Sequence, residues 1–62
     1  MKTKQIIKQL ELEGWVLVRQ KGSHKQYKHW QKAELITVPD HGGNKELSRG
    51  VLNDIMKKAG WK

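Results

Sequence analysis

The dipeptide Gly-Trp occurs twice, at Gly14-Trp15 and at Gly60-Trp61, each time directly after an amphipathic stretch. A glycine just past a helix takes the left-handed conformation that closes the last turn, and an apolar residue after it packs back on that turn. The repeat therefore predicts two helices, one at each end of the chain. The first spans Lys4–Glu13, with Ile6, Ile7 and Leu10 at helical spacing, Thr3 as N-cap and Trp15 packing back on Leu10. The second is capped by Ser48, which places Leu47 and Leu52 as a hydrophobic staple. Its stripe is Leu47, Val51, Ile55 and Ala59, widened by Leu52 and Met56, with Trp61 reaching back to Met56. Gly50 in its first turn costs roughly 1 kcal/mol relative to alanine. Close approach of another stretch of backbone would account for it.

Three extended segments lie between the helices. Trp15–Lys21 is rich in β-branched and aromatic residues and ends at the turn signal Gly22-Ser23. His24–Trp30 alternates, with His24, Gln26, Lys28 and Trp30 on one face and Lys25, Tyr27 and His29 on the other. Glu34–Val38 is the third strand, and Pro39 ends it because proline cannot donate to a ladder. Short connections favour an antiparallel meander. The expected fold is α+β with the order α-β-β-β-α. Each helix has only one apolar stripe, so both must lie on the same face of a three-stranded sheet, as in double-stranded-RNA-binding-domain-like folds. Residues 1–62 read as a single domain, and 62 residues allow only a thin core.

Charge narrows the function. Thirteen Lys and Arg against six Asp and Glu leave a formal charge of +7, which points to a polyanion, with RNA and DNA ahead of a membrane surface. From Arg19 to Lys32 there are five cations (Arg19, Lys21, Lys25, Lys28 and Lys32) and no acid. Such a one-signed segment is the footprint of phosphate binding. The apolar runs are too short for a transmembrane helix, no secretory signal precedes the first helix, and cysteine is absent. A cytoplasmic protein is the expectation.

His24, His29 and His41 do not make a metal site, because no carboxylate or cysteine accompanies them at ligand spacing and His24 and His29 have opposite strand parity. No catalytic triad or phosphate-binding glycine loop is readable either. What remains is Gly22-Ser23-His24 at a strand entry inside the basic segment. An imidazole titrates near ~6.5 and can move a proton to or from a ribose 2′-hydroxyl or the leaving oxygen of a phosphodiester. It can equally do no more than contact phosphate, and the residues alone leave both readings open. Trp30 could stack on a base or cover the sheet edge. His41, after the strand-ending proline, reads as an RNA contact or a turn residue. Tyr27 reads as a core-edge residue, and Trp15 and Trp61 as helix-end packing.

Gly22-Ser23-His24-x-x-Tyr27 following Gly14-Trp15, then Ile36-Thr37-Val38-Pro39-x-His41, then Leu52-x-x-Ile55-x-x-x-Ala59-Gly60, resembles the toxins of the HicA family across nearly the whole chain. The Gly-Ser-His segment is its most specific part. One departure is the Asp40–Asn44 loop, with an acid and two glycines where many relatives look more basic. The resemblance implies a small mRNA interferase with a double-stranded-RNA-binding-domain-like fold, neutralised by a HicB-type antitoxin. It implies that His24 is the catalytic histidine. The basic segment itself marks Arg19, Lys21, Lys25 and Lys28 as RNA contacts, with Ser23 and His41 beside them as further candidates. Because RNA carries its own 2′-hydroxyl nucleophile, no metal or other cofactor is expected. An antitoxin presenting acidic side chains to the Arg19–Lys32 patch would cover His24 and relieve the self-repulsion of the cations. The alternative is a non-catalytic RNA-binding module of the same fold. An imidazole at position 24, rather than a permanent cation, argues for the enzyme. A DNA-binding domain is disfavoured because neither helix carries the cations.

Overall fold

In the computed structural model, which describes residues 2–42 and 45–61, the chain runs α1 (Thr3–Leu12), β1 (Val16–Lys21), β2 (His24–Lys28), β3 (Leu35–Pro39) and α2 (Arg49–Ala59). The strands form an antiparallel sheet in the order β1-β2-β3. Tyr27 of β2 pairs with Ile36 of β3, and Lys25 pairs with Val38, so these four residues share one face. Tyr27, Ile36 and Val38 are buried there against Ile6 and Leu10 of α1 and Ile55 and Ala59 of α2. Both helices thus cover one face of the sheet, and the other face is open. This is the α-β-β-β-α, double-stranded-RNA-binding-domain-like arrangement that two single-striped helices require.

The helix ends follow the Gly-Trp signals. Gly14 (φ 98) donates from its backbone N–H to the Glu11 carbonyl, and Trp15 donates to the Leu10 carbonyl at 2.9 Å. Gly60 (φ 79) and Trp61 repeat the pattern onto Lys57 and Met56. This pair of bonds satisfies carbonyls that a helix terminus would otherwise leave open. Ser48 caps α2, its hydroxyl accepting from the Val51 N–H at 3.4 Å.

Some boundaries differ from the sequence expectation. Thr3 is the first residue of α1 and not its cap. It is buried, and both its N–H and its hydroxyl donate to the Lys45 carbonyl, at 2.8 and 3.0 Å. Thr3 thus ties the start of α1 to the segment ahead of α2, a bond 42 residues long in sequence that outweighs local capping. β2 ends at Lys28, two residues before Trp30. There the His29 ring takes over the backbone groups: its Nε2–H donates to the Glu13 carbonyl (2.9 Å), and its Nδ1 accepts from the Gln31 N–H (3.0 Å). The ladder ends because the chain turns here: Lys32 donates to the His29 carbonyl at 3.1 Å while Gln31 donates to the His29 ring. Pro39, expected to lie past β3, is its last residue and pairs with His24. An edge strand tolerates the missing N–H. In β1 the register shifts between Leu17 and Arg19, making a bulge at Val18, and Val16, Leu17 and Val18 stay exposed because the helices pack over β2 and β3.

Gly14 and Gly60 share a left-handed conformation but not their surroundings. A Cβ at Gly14 would stand 3.1 Å from His29 Nε2, whereas at Gly60 its nearest neighbour is the flexible Lys32 Nζ at 3.8 Å. Gly60→Ala should cost about 1 kcal/mol from backbone strain alone. Gly14→Ala should cost about 2 kcal/mol or more, because the His29 bond to Glu13 must also shift. Urea-unfolding midpoints of the two variants check the order.

Candidate functional site

The register of the sheet fixes what the open face presents. Successive residues of a strand point to opposite faces, so burial of Tyr27 turns His24, Gln26 and Lys28 outward. Three cross-strand rows result: Lys21–His24–Pro39, Arg19–Gln26–Thr37 and Val16–Lys28–Leu35. His24 is exposed in the first row, at the start of the central strand. The turn before it holds only Gly22 and Ser23, with Gly22 at φ 60, the sign a type II′ hairpin needs at its first position. Ser23 is half-buried, and its carbonyl accepts from the Asp40 N–H at 2.6 Å, which pins the end of β3 to the hairpin that carries His24. The His24 imidazole makes no hydrogen bond or ion pair with any described residue. Lys21 is its cross-strand neighbour on one side.

On its other side lies a groove of about 340 Å³ between the sheet and the first turns of α2. His24, Thr37 and Pro39 form one wall, and Gly50, Val51 and Asp54 form the other. A Cβ built on Gly50 meets nothing within 4 Å, so no backbone approaches there, contrary to the expectation from sequence. A second hollow, of about 270 Å³, includes His41, Thr3 and Lys45. Pro39 borders both, and His41 therefore sits across the proline from the hollow that holds His24.

The five sequence-selected cations do not form one cluster. Arg19, Lys21 and Lys28 stand on the face of His24. Lys25 stands on the opposite face, its ammonium 2.9 Å from an Asp40 carboxylate oxygen. That hydrogen bond raises the Lys25 pKa. The same bond, with help from the Gly42 N–H at 3.2 Å, lowers that of Asp40. Asp40 is thus the acid that breaks the one-signed patch, at a separation of fifteen residues that the local charge count could not span. Gly43 and Asn44, the rest of that loop, lie outside the described residues.

Trp30 does not share the face of His24 by strand alternation, since β2 has already ended. Its ring stacks on that of His29 (centroids 6.1 Å apart, planes at 16°), and His29 in turn meets Trp15 (5.3 Å, 57°). Sequence reading did not select Asp54 as a site residue. Gly50 was its only signal, as a glycine in a helical first turn that nothing local explains.

No group of three His, Asp or Glu side chains able to hold a metal occurs among the described residues, and no described helix is long and apolar enough to cross a membrane. Residues 3–61 match the family model described as HicA toxin of bacterial toxin-antitoxin. The chain belongs to the HicA toxin family. A comparison with curated proteins finds no match. As a HicA-family protein it is the toxin of a toxin–antitoxin pair, and the family implies a cognate antitoxin.

Two carboxylates report on the HicA fold as pH falls. Asp40 is held down by Lys25, and Glu13 by hydrogen bonds from the Gln9 amide (2.7 Å) and the Trp61 indole (2.8 Å). A carboxylate whose folded pKa is depressed stabilises above its unfolded pKa, and that contribution disappears as pH drops through the folded value. Stability should therefore decline as pH falls through and below the ordinary carboxylate range. Asp40→Asn and Glu13→Gln should each flatten that decline, as read from thermal melts across the range.

Proposed function

We propose that this HicA-family toxin is an endoribonuclease that cleaves mRNA by proton transfer through His24, with Arg19, Lys21 and Lys28 holding the phosphates, and that a HicB-type antitoxin neutralises it. The observation that carries the reading is the His24 imidazole: exposed, unpartnered among the described residues, and flanked by Lys21 on the open face. A structural histidine in this same protein looks different. His29 is buried and has both ring nitrogens engaged.

The chemistry uses a nucleophile that the substrate carries. With the scissile phosphate against Lys21, His24 accepts the proton of the ribose 2′-hydroxyl. The 2′-oxygen then attacks phosphorus and the bond from phosphorus to the 5′-oxygen breaks. The 5′-oxygen takes up a proton and leaves as a hydroxyl, while the other fragment ends in a 2′,3′-cyclic phosphate. The cations offset charge that builds on the phosphoryl oxygens. Lys25 has no part in this step, because Asp40 holds it on the far face.

His24→Ala should lower cleavage of RNA by ~10²–10⁴-fold while leaving RNA affinity and melting temperature near those of the parent. Cleavage should persist in EDTA and give cyclic or 3′-phosphate ends, scored by phosphatase sensitivity of the products. Full activity in His24→Ala, or 3′-hydroxyl ends that appear only with Mg²⁺, would refute the reading.

The antitoxin is expected on the same open face, drawn by its cations. Arg19→Glu and Lys21→Glu should weaken RNA and antitoxin binding together and reduce the salt slope of RNA affinity by roughly one per lost phosphate contact. Lys25→Ala should spare both affinities and lower thermal stability instead. Titrations of RNA and of antitoxin at several salt concentrations separate these outcomes.

A further inference from the structure

We infer that the groove between His24 and the first turns of α2 seats a nucleobase next to the scissile phosphate, and that Gly50 and Asp54 decide which bases fit. This rests on the RNA-cleaving reading of His24 and adds a base-binding subsite to it. The starting point is Gly50, which has no fold-based reason to be glycine. Its φ is not positive, and an added Cβ would meet nothing within 4 Å. Alanine there would favour the helix, so glycine is retained at a cost in helix propensity. What the missing side chain leaves is room, and that room lies in the groove whose opposite wall holds His24.

The lining fits a base better than a phosphate. Pro39 and Val51 offer apolar surface and the Gly50 backbone leaves the hollow unobstructed, while Thr37 and Asp54 contribute polar groups. Asp54 stands one helical turn from Gly50, on the same face of α2. It contacts Lys58 at 3.2 Å, yet its side chain remains 57% exposed. A carboxylate repels a phosphate, but it accepts hydrogen bonds from the exocyclic amino groups of guanine, adenine or cytosine. At about 340 Å³ the groove falls within the range of small-ligand sites. The order across the molecule matches a bound strand: Lys21 on β1 for phosphate, His24 on β2 for proton transfer, then the groove beyond β3 for the base.

Gly50→Ala separates this role from folding, because the two effects have opposite sign. The variant should melt higher, by roughly 4–8 °C. It should also cleave RNA, and bind a short 2′-O-methylated RNA that cannot be cut, roughly tenfold or more weakly. Asn53→Ala, on the exposed side of α2 outside the groove, should raise the melting temperature without changing either RNA readout. Asp54→Ala should even out the preference for amino-bearing bases beside the cut, read by sequencing product ends. If Gly50→Ala cuts and binds RNA like the parent, the subsite is refuted while the cleavage reading stands. If the parent protein binds the methylated RNA without cutting ordinary RNA, and Gly50→Ala weakens that binding, the cleavage reading falls and the groove remains an RNA subsite. If the parent neither binds nor cuts RNA, both are overturned.

Discussion

Burial of Tyr27 at the centre of β2 sets the facing of the whole sheet. Side chains alternate along a strand, so one ring committed to the core assigns a side to every neighbour. His24, Gln26 and Lys28 are turned to the open face, and Lys25 is turned under the sheet edge toward Asp40. Burial also pushes the Tyr27 phenol pKa up. A slip of one residue would carry His24 into the core face and bring Lys25 out in its place. The active-site reading and the apolar core therefore depend on one register, and the cross-strand pairs Tyr27–Ile36 and Lys25–Val38 hold it.

A second junction joins the far ends of the elements. Glu13, just past α1, accepts at its backbone carbonyl from His29, and at its carboxylate from Gln9 and from the Trp61 indole. One residue thus links the end of α1, the turn after β2 and the end of α2. In a chain this short the buried core is small, and hydrogen bonds of this kind fix the geometry that packing alone leaves loose. The junction sits at the opposite end of β2 from His24. The end of the sheet that carries His24 is held instead by the Ser23–Asp40 backbone bond and the Lys25–Asp40 pair.

These two ends treat their histidines and cations differently, and that difference is what makes a site legible. His29 is engaged at both nitrogens and ringed by Trp15 and Trp30. His24 is left to solvent between a lysine and a groove. The basic segment that looked continuous along the chain is divided into three open-face cations, Lys25 held by Asp40, and Lys32 beyond the strand beside Gly60.

Local sequence determined what local physics controls. The sign of φ at Gly14, Gly22 and Gly60, the cap at Ser48, the period-two pattern around Tyr27 and the apolar stripes of the helices each depend on residues a few positions apart. They were enough for the element order, for both helices on one face, and for His24 outside the core. Three features were decided only by the tertiary structure: the Asp40 partner of Lys25, the Lys45 anchor of Thr3, and the approach of Gly50 and Asp54 to His24. Each joins residues at least fifteen apart in sequence. Their meeting depends on how α2 docks against the edge of β3 and how the chain returns from it, and no periodicity within a single element carries that information.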